Sequence, residues 1–220
     1  MRTFRPCVSV AAVALLAGVA AADIIPTARF SEVFSHLVRF NQPVQAPPQQ
    51  VTSTTFAPFA HSLEGANQNT TVSNTAFGGT VSNNPLFFST PHNPGFRTAR
   101  SEFVLDFDVV HATSFSITGN IQFEQMNGYF RLIGPGNTVV FTPTYTPSGS
   151  PFGGVVAAMN FNTVLAPGSY RLEIRTAGDS NEAGSPTFGQ ISFQVNAAPT
   201  PGVAAALGLG ALAGVRRRRA

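Results

Sequence analysis

Between residues 51 and 196 apolar side chains recur at every second position, in runs that Gly, Pro and Asn break before a helical period can build up. Such a pattern commits a chain to sheets. It is clearest over 102–111, where Phe103, Leu105, Phe107 and Val109 alternate with Glu102, Asp106 and Asp108. One apolar and one ionised face describe a strand with the core on one side and water on the other. Phe115, Ile117, Ile121 and Phe123 keep period two across Thr118-Gly119-Asn120, either as a tight hairpin or as one long strand.

Residues 129–133 and 138–142 flank Gly134-Pro135-Gly136-Asn137, a turn by composition. Leu165-Ala166-Pro167-Gly168 sets Pro and then Gly at the centre of an expected type II turn. Beyond it Tyr170, Leu172 and Ile174 fall on one face, Arg171, Glu173 and Arg175 on the other. Phe188, Ile191, Phe193 and Val195 close the body, out of step near Gly189, and weaker strands are expected over 51–56, 71–77 and 154–161.

About nine short strands and no internal repeat predict an all-β fold, an antiparallel β-sandwich that is jelly-roll-like or Ig-like. The one helix-like stretch is 29–40, where Phe30, Val33, Phe34, Leu37 and Val38 fall at helical spacing with Ser31 as a cap. The Pro- and Gln-rich residues 42–50 read as an extended connector. With twenty phenylalanines and no tryptophan, the core is expected to be Phe, Val, Leu and Ile.

The two ends differ from this body. Arg2 and Arg5, the apolar run 8–19 and Ala20-Ala21-Ala22 make a signal peptide over residues 1–22, cut by signal peptidase between Ala22 and Asp23. The competing reading is an uncleaved anchor. Cys7 precedes the apolar run, where a lipidated cysteine would follow it. At the other end, residues 197–220 contain Pro199-Thr200-Pro201-Gly202, an apolar run over 203–215, and Arg216, Arg217, Arg218 and Arg219. The arginines act as a cytoplasmic stop. At about 1.5 Å per residue the run spans roughly 20 Å, short of the ~30 Å hydrocarbon core, so it is marginal as a permanent anchor. A Leu-Pro-x-Thr-Gly motif is absent.

Processing reverses the charge argument. The whole chain is net +3, but of its thirteen arginines two lie in the leader and four in the tail. The remaining seven face ten acidic residues, so the body is net negative. Without lysine or an arginine cluster it has no footprint for nucleic acid. The single cysteine leaves with the leader, so no disulfide, thiolate metal site or cysteine nucleophile is available to the mature chain.

The combination of leader, cysteine-free β body, Pro motif, one hydrophobic helix and arginine stop resembles the PEP-CTERM proteins, substrates of exosortases in bacteria that make extracellular polysaccharide. Thr200 departs from that family's usual Glu between the prolines. The resemblance covers about a tenth of the chain. It implies an exported protein with a transient inner-membrane intermediate, an exosortase-like membrane protease as partner, cleavage near the Pro motif, and delivery to the cell surface or a biofilm matrix. The body, with its Leu-x-Pro-Gly-x-Tyr turn, resembles small extracellular bacterial β-sandwich domains, in which Tyr170 would serve as a tyrosine corner.

A search for chemistry finds little. His36, His61, His92 and His111 have no ligand spacing, and no nucleophile elbow, phosphate loop or dinucleotide fingerprint occurs. No catalytic residue and no cofactor is expected. Glu102, Asp106 and Asp108 share a strand face, which suits a solvated surface first, a Ca²⁺ site second and paired glycosidase acids third. Asp179, Asn181 and Glu182 form another oxygen-rich stretch without EF-hand spacing. Tyr145, in the polar 142–150 stretch, is the expected exposed platform for a sugar, and Tyr129 is expected on the face of Arg131.

The expected domains are therefore the leader 1–22, an N-terminal segment and connector 23–50, a sandwich 51–196 and a sorting tail 197–220. The expected function is non-enzymatic: a structural or adhesive component of the cell envelope or exopolysaccharide matrix. The alternative is an extracellular carbohydrate- or calcium-binding module.

Overall fold

A computed structural model describes residues 24–42, 44–85, 95–124, 127–149, 154–180 and 188–199. The expected leader and its cleavage site Ala22/Asp23, Asn181, Glu182, His92, and the expected tail from Thr200 through Arg219 lie outside the described residues.

Alternation dominates the chain, and it yields thirteen strands among the described residues. They are β1 Ile24–Arg39, β2 Gln49–Ser53, β3 Phe59–Leu63, β4 Ala66–Val72, β5 Ala76–Asn83, β6 Gly95–Val109, β7 Thr113–Glu124, β8 Asn127–Gly134, β9 Thr138–Phe141, β10 Thr146–Pro147, β11 Val155–Leu165, β12 Gly168–Ser180 and β13 Phe188–Pro199. All pairings are antiparallel. One six-stranded sheet has the order β2-β1-β6-β12-β8-β9, and a seven-stranded sheet has the order β10-β11-β7-β13-β5-β4-β3. Strands β5 to β8 pair in nested fashion with β13, β12, β11 and β9 respectively.

The sheets face each other across a phenylalanine core. Phe103 of the six-stranded sheet lies 5.7 Å from Phe193 of the other, and Phe107 stacks at 5.9 Å on Phe115 and at 5.7 Å on Tyr170. Phe77, Phe103, Phe107, Phe115 and Phe130 are fully buried. Each such side chain stabilises by about 1.5–3 kcal/mol relative to exposure. In β6 the burial alternates without a break from Gly95 to Val109, as the sequence pattern requires, but the strand starts seven residues before 102 and leaves His111 outside. Residues 71–77 divide into the ends of β4 and β5 around a turn closed by the Ser73 hydroxyl, which accepts from the Ala76 amide at 3.0 Å.

Three local expectations are resolved by the backbone. Gly119 lies inside one continuous β7, so Thr118-Gly119-Asn120 is no hairpin. Gly168 takes φ +151°, far from the roughly +80° of a type II turn, so Leu165-Ala166-Pro167-Gly168 connects β11 to β12 with a different geometry. Gly189, Ile191, Phe193, Val195 and Ala197 are the buried positions of β13, and Phe188 lies on the opposite parity.

The helix expected over 29–40 does not form. Those residues belong to β1, which pairs with β6 along nearly its whole length, from Ile24↔Val109 to Arg39↔Gly95. The physical reason is the polarity of its inner face. Arg29, Ser31 and Ser35 are buried alongside Val33, whereas Phe30 and Phe34 of the opposite parity are only half-buried. Apolar residues from two faces therefore mimic a helical stripe. The polar interior they mark continues across the sandwich to Gln68 and Thr70 of β4.

Candidate functional site

The outer surface of the six-stranded sheet carries the candidate carboxylates. Glu102, Asp106 and Asp108 do share a face of β6, but a strand rises about 3.4 Å per residue, so Glu102 and Asp108 are roughly 20 Å apart along it. A Ca²⁺ ion draws its oxygens to 2.3–2.6 Å. Strand geometry thus spreads what alternation aligns.

Neighbouring strands also engage these groups. Arg171, in register with Asp106, holds it in a fork, Nε to Oδ1 at 2.6 Å and Nη2 to Oδ2 at 3.0 Å. The Arg171 guanidinium is pushed above its ordinary pKa by that hydrogen bond and by the charge of Asp106. Ser169 Oγ donates to Asp108 Oδ1 at 2.6 Å. Glu102 is in register with Glu32 of β1 and Arg175 of β12. Glu32 is itself bound by Arg100, whose Nε donates at 2.7 Å, and by Gln50. Among the described residues no group of three His, Cys, Asp or Glu could hold a metal ion.

The ion pairs continue to the far strands. Arg131 Nε donates to Glu173 Oε2 at 2.5 Å, and its guanidinium lies 4.7 Å over the Tyr129 ring. Tyr129 and Arg131 thus share a face, as expected. Tyr145 does not offer an exposed platform. Its half-buried ring packs 6.0 Å from Phe123, and burial pushes its phenol up. The polar composition of 142–150 hid a residue that folds back onto the core.

Tyr170 is where the sequence placed it. The ring is 7% exposed and stacked on Phe107, and its hydroxyl donates to the Ala166 carbonyl at 2.9 Å. This is a tyrosine corner: it ties the β11–β12 connection to the core. His36, His61 and His111 fall in β1, in β3 and after β6, and do not converge.

Sequence reasoning missed a buried cation. Arg29 is 3% exposed, and its pKa is lowered by desolvation. It donates to Ser31 Oγ at 3.0 Å, the Ala57 carbonyl at 2.5 Å, and both the carbonyl (3.2 Å) and Oγ1 (2.6 Å) of Thr70. Phe103 lies under the guanidinium at 5.5 Å. The signal available was parity: Arg29 shares it with Val33. The site is saturated by neutral acceptors and is structural.

The second missed feature is a division of charge. All seven arginines of the body lie in the six-stranded sheet, whereas Glu124 is the single Asp, Glu, Lys or Arg in the strands of the other. Within the strands of the seven-stranded sheet the outward residues are instead mostly Asn, Gln, Ser and Thr, with Glu124, the half-buried Phe188 and a few Gly, Ala and Val.

The first residues of the expected sorting tail are part of the last described strand. β13 runs through Ala197, Ala198 and Pro199, which are in register with Phe115, Ser114 and Thr113 of β7. Among the described residues no helix is long and apolar enough to cross a membrane.

No family model and no curated protein matches the chain. Solved structures of infectious bursal disease virus match over 80% of this chain: the Gx strain at 14% identity and the Gt strain at 11%, each with a TM-score of 0.25. The chain spans 57% of the length of those viral chains.

Proposed function

We propose that this chain is an exported, non-enzymatic surface protein, a structural or adhesive component of the cell envelope or exopolysaccharide matrix, delivered by an exosortase-type C-terminal signal. The tripartite tail carries this reading. β13, the last described strand, ends at Pro199, the first residue of Pro199-Thr200-Pro201-Gly202, so a protease cutting after that residue would leave β13 whole. Four arginines after the apolar run would hold the tail in the inner membrane until that cut. Support for a non-catalytic role comes from the ion pairs that engage Asp106 and Glu173 and from the structural duty of Tyr170.

The nested pairing of β5 to β8 with β13, β12, β11 and β9 supports a jelly-roll winding over an Ig-like one. Strands β1 to β4 and β10 extend its edges.

Intact mass and cell fractionation of the protein from its native host test the reading. A species running from Asp23 to the region of Pro199–Gly202, outside the inner membrane, is expected. A species from Asp23 to Ala220 retained in the inner membrane would sink the sorting argument and leave a simply anchored protein.

A further inference from the structure

We infer that the outer face of the seven-stranded sheet binds an uncharged polyhydroxylated polymer, a neutral polysaccharide, through hydrogen bonds alone. The proposal gives a partner class to the matrix reading above and rests on it for the presence of such a polymer.

The register of the strands arranges this face as a grid. One row across the sheet is Asn67–Ser82–Gln190–Gln122, and the next is Asn69–Thr80–Ser192–Asn120. Rows of this kind place a hydroxyl or amide about every 4.8 Å from strand to strand and about every 6.8 Å along each strand. Every one of these groups both donates and accepts, as every sugar hydroxyl does. Along single strands the amides are linked and so partly preordered. Asn162 Nδ2 donates to Asn160 Oδ1 at 3.1 Å, and Gln194 Nε2 to Asn196 Oδ1 at 3.4 Å. Toward the β13 terminus lies an open groove of about 360 Å³ whose lining is largely apolar, with Phe115, Ala197 and Ala198 beside Ser114, Ser116, Asn162, Thr163 and Asn196.

Charge decides the class of partner. An anionic polymer needs arginine or lysine, and the strands of this sheet contain neither. A cationic one needs more than Glu124 at the sheet's margin. An apolar partner needs a continuous exposed aromatic or aliphatic patch; the apolar outward residues, Phe188 at the end of β13 and Val156, Ala158 and Val164 on β11, lie at the margin of this face, and the rows inside it are amides and hydroxyls. The opposite sheet sets Arg100, Arg131, Arg171 and the carboxylates they bind on its outer surface, where this face has none, so neutrality belongs to one surface and not to the composition of the whole molecule. With no aromatic ring in either row each contact there is weak, and affinity has to accumulate along an extended chain.

The test is co-sedimentation of the purified protein with an insoluble neutral glucan (amorphous cellulose) and gel retardation in a soluble one (dextran), with alginate as the anionic comparison. Retention on a neutral glucan that persists in 1 M NaCl, with none on alginate, is expected. The double variant Gln122→Glu/Gln190→Glu, on exposed positions, is expected to lose at least tenfold in binding while keeping its circular dichroism and Tm. Arg131→Gln, on the opposite sheet, is expected to bind as the parent does. No retention on either glucan, retention unchanged in the double variant, or binding abolished by salt would each overturn the proposal. So would a dimer in light scattering that the double variant abolishes, since the face would then be covered by a second copy. These readouts use purified protein and are independent of mass and fraction, so the sorting reading and this proposal fail separately.

Discussion

Two arginines show how burial decides what a cation contributes. Arg171 is half exposed and forks onto Asp106, so Arg171→Ala is expected to cost no more than about 1 kcal/mol. Arg29 is enclosed and bonds only neutral acceptors, and Arg29→Met would leave the Ala57 carbonyl and the Thr70 oxygens short of a donor. A loss of about 2–4 kcal/mol is expected, read as a lower urea midpoint at unchanged slope. Equal losses for the two variants would contradict the assignment. Tyr170 adds a pH effect. Burial raises its phenol pKa above the usual 10, so the folded state keeps a proton that the unfolded chain releases. The stabilisation is fully present below about pH 10 and declines as pH rises through the folded pKa. Tyr170→Phe should lower stability at pH 8 by about 1 kcal/mol for the lost bond to Ala166, read as a lower urea midpoint, and should flatten the decline above pH 10.

At the scale of single strands, the most constrained position is Gly119. It sits mid-strand at φ +152°, and a Cβ there would fall 2.1 Å from the Ser192 carbonyl oxygen and 2.8 Å from the Met159 methyl. Its partner in register is Phe193, with Gly79 on the other side at φ +144°, so two glycines flank one large ring. Gly119→Ala is expected to lower stability by about 3 kcal/mol or more, visible as a drop in Tm, whereas the same change at Gly136, where no atom lies within 4 Å of the new Cβ, should cost far less despite its φ of +71°. This row also marks what the sequence could tell. β6, β7 and β12 were legible because each has one apolar and one polar parity. β1 was not, because its inner parity is Arg29, Ser31, Val33 and Ser35, and the polar interior it helps to form depends on β4, far away in sequence. Tyr145 misled for the converse reason: a polar neighbourhood in sequence folds back onto the apolar Phe123.

For the whole molecule, the two outer surfaces are chemically opposed, and that could not be read before strands were assigned to sheets. Residues 66–83, 113–124 and 188–199 look individually like ordinary polar-faced strands; only their pairing puts Asn, Gln, Ser and Thr into shared rows. The winding has a further consequence, for the order of events in time. β13 is the last described strand in the chain, yet it lies in the middle of its sheet, bonded to β7 on one side and β5 on the other. Before it emerges, the seven-stranded layer exists only as two separate halves, each exposing a raw edge. The body therefore cannot complete its fold until β13 is available, and up to that point the polypeptide stays threadable.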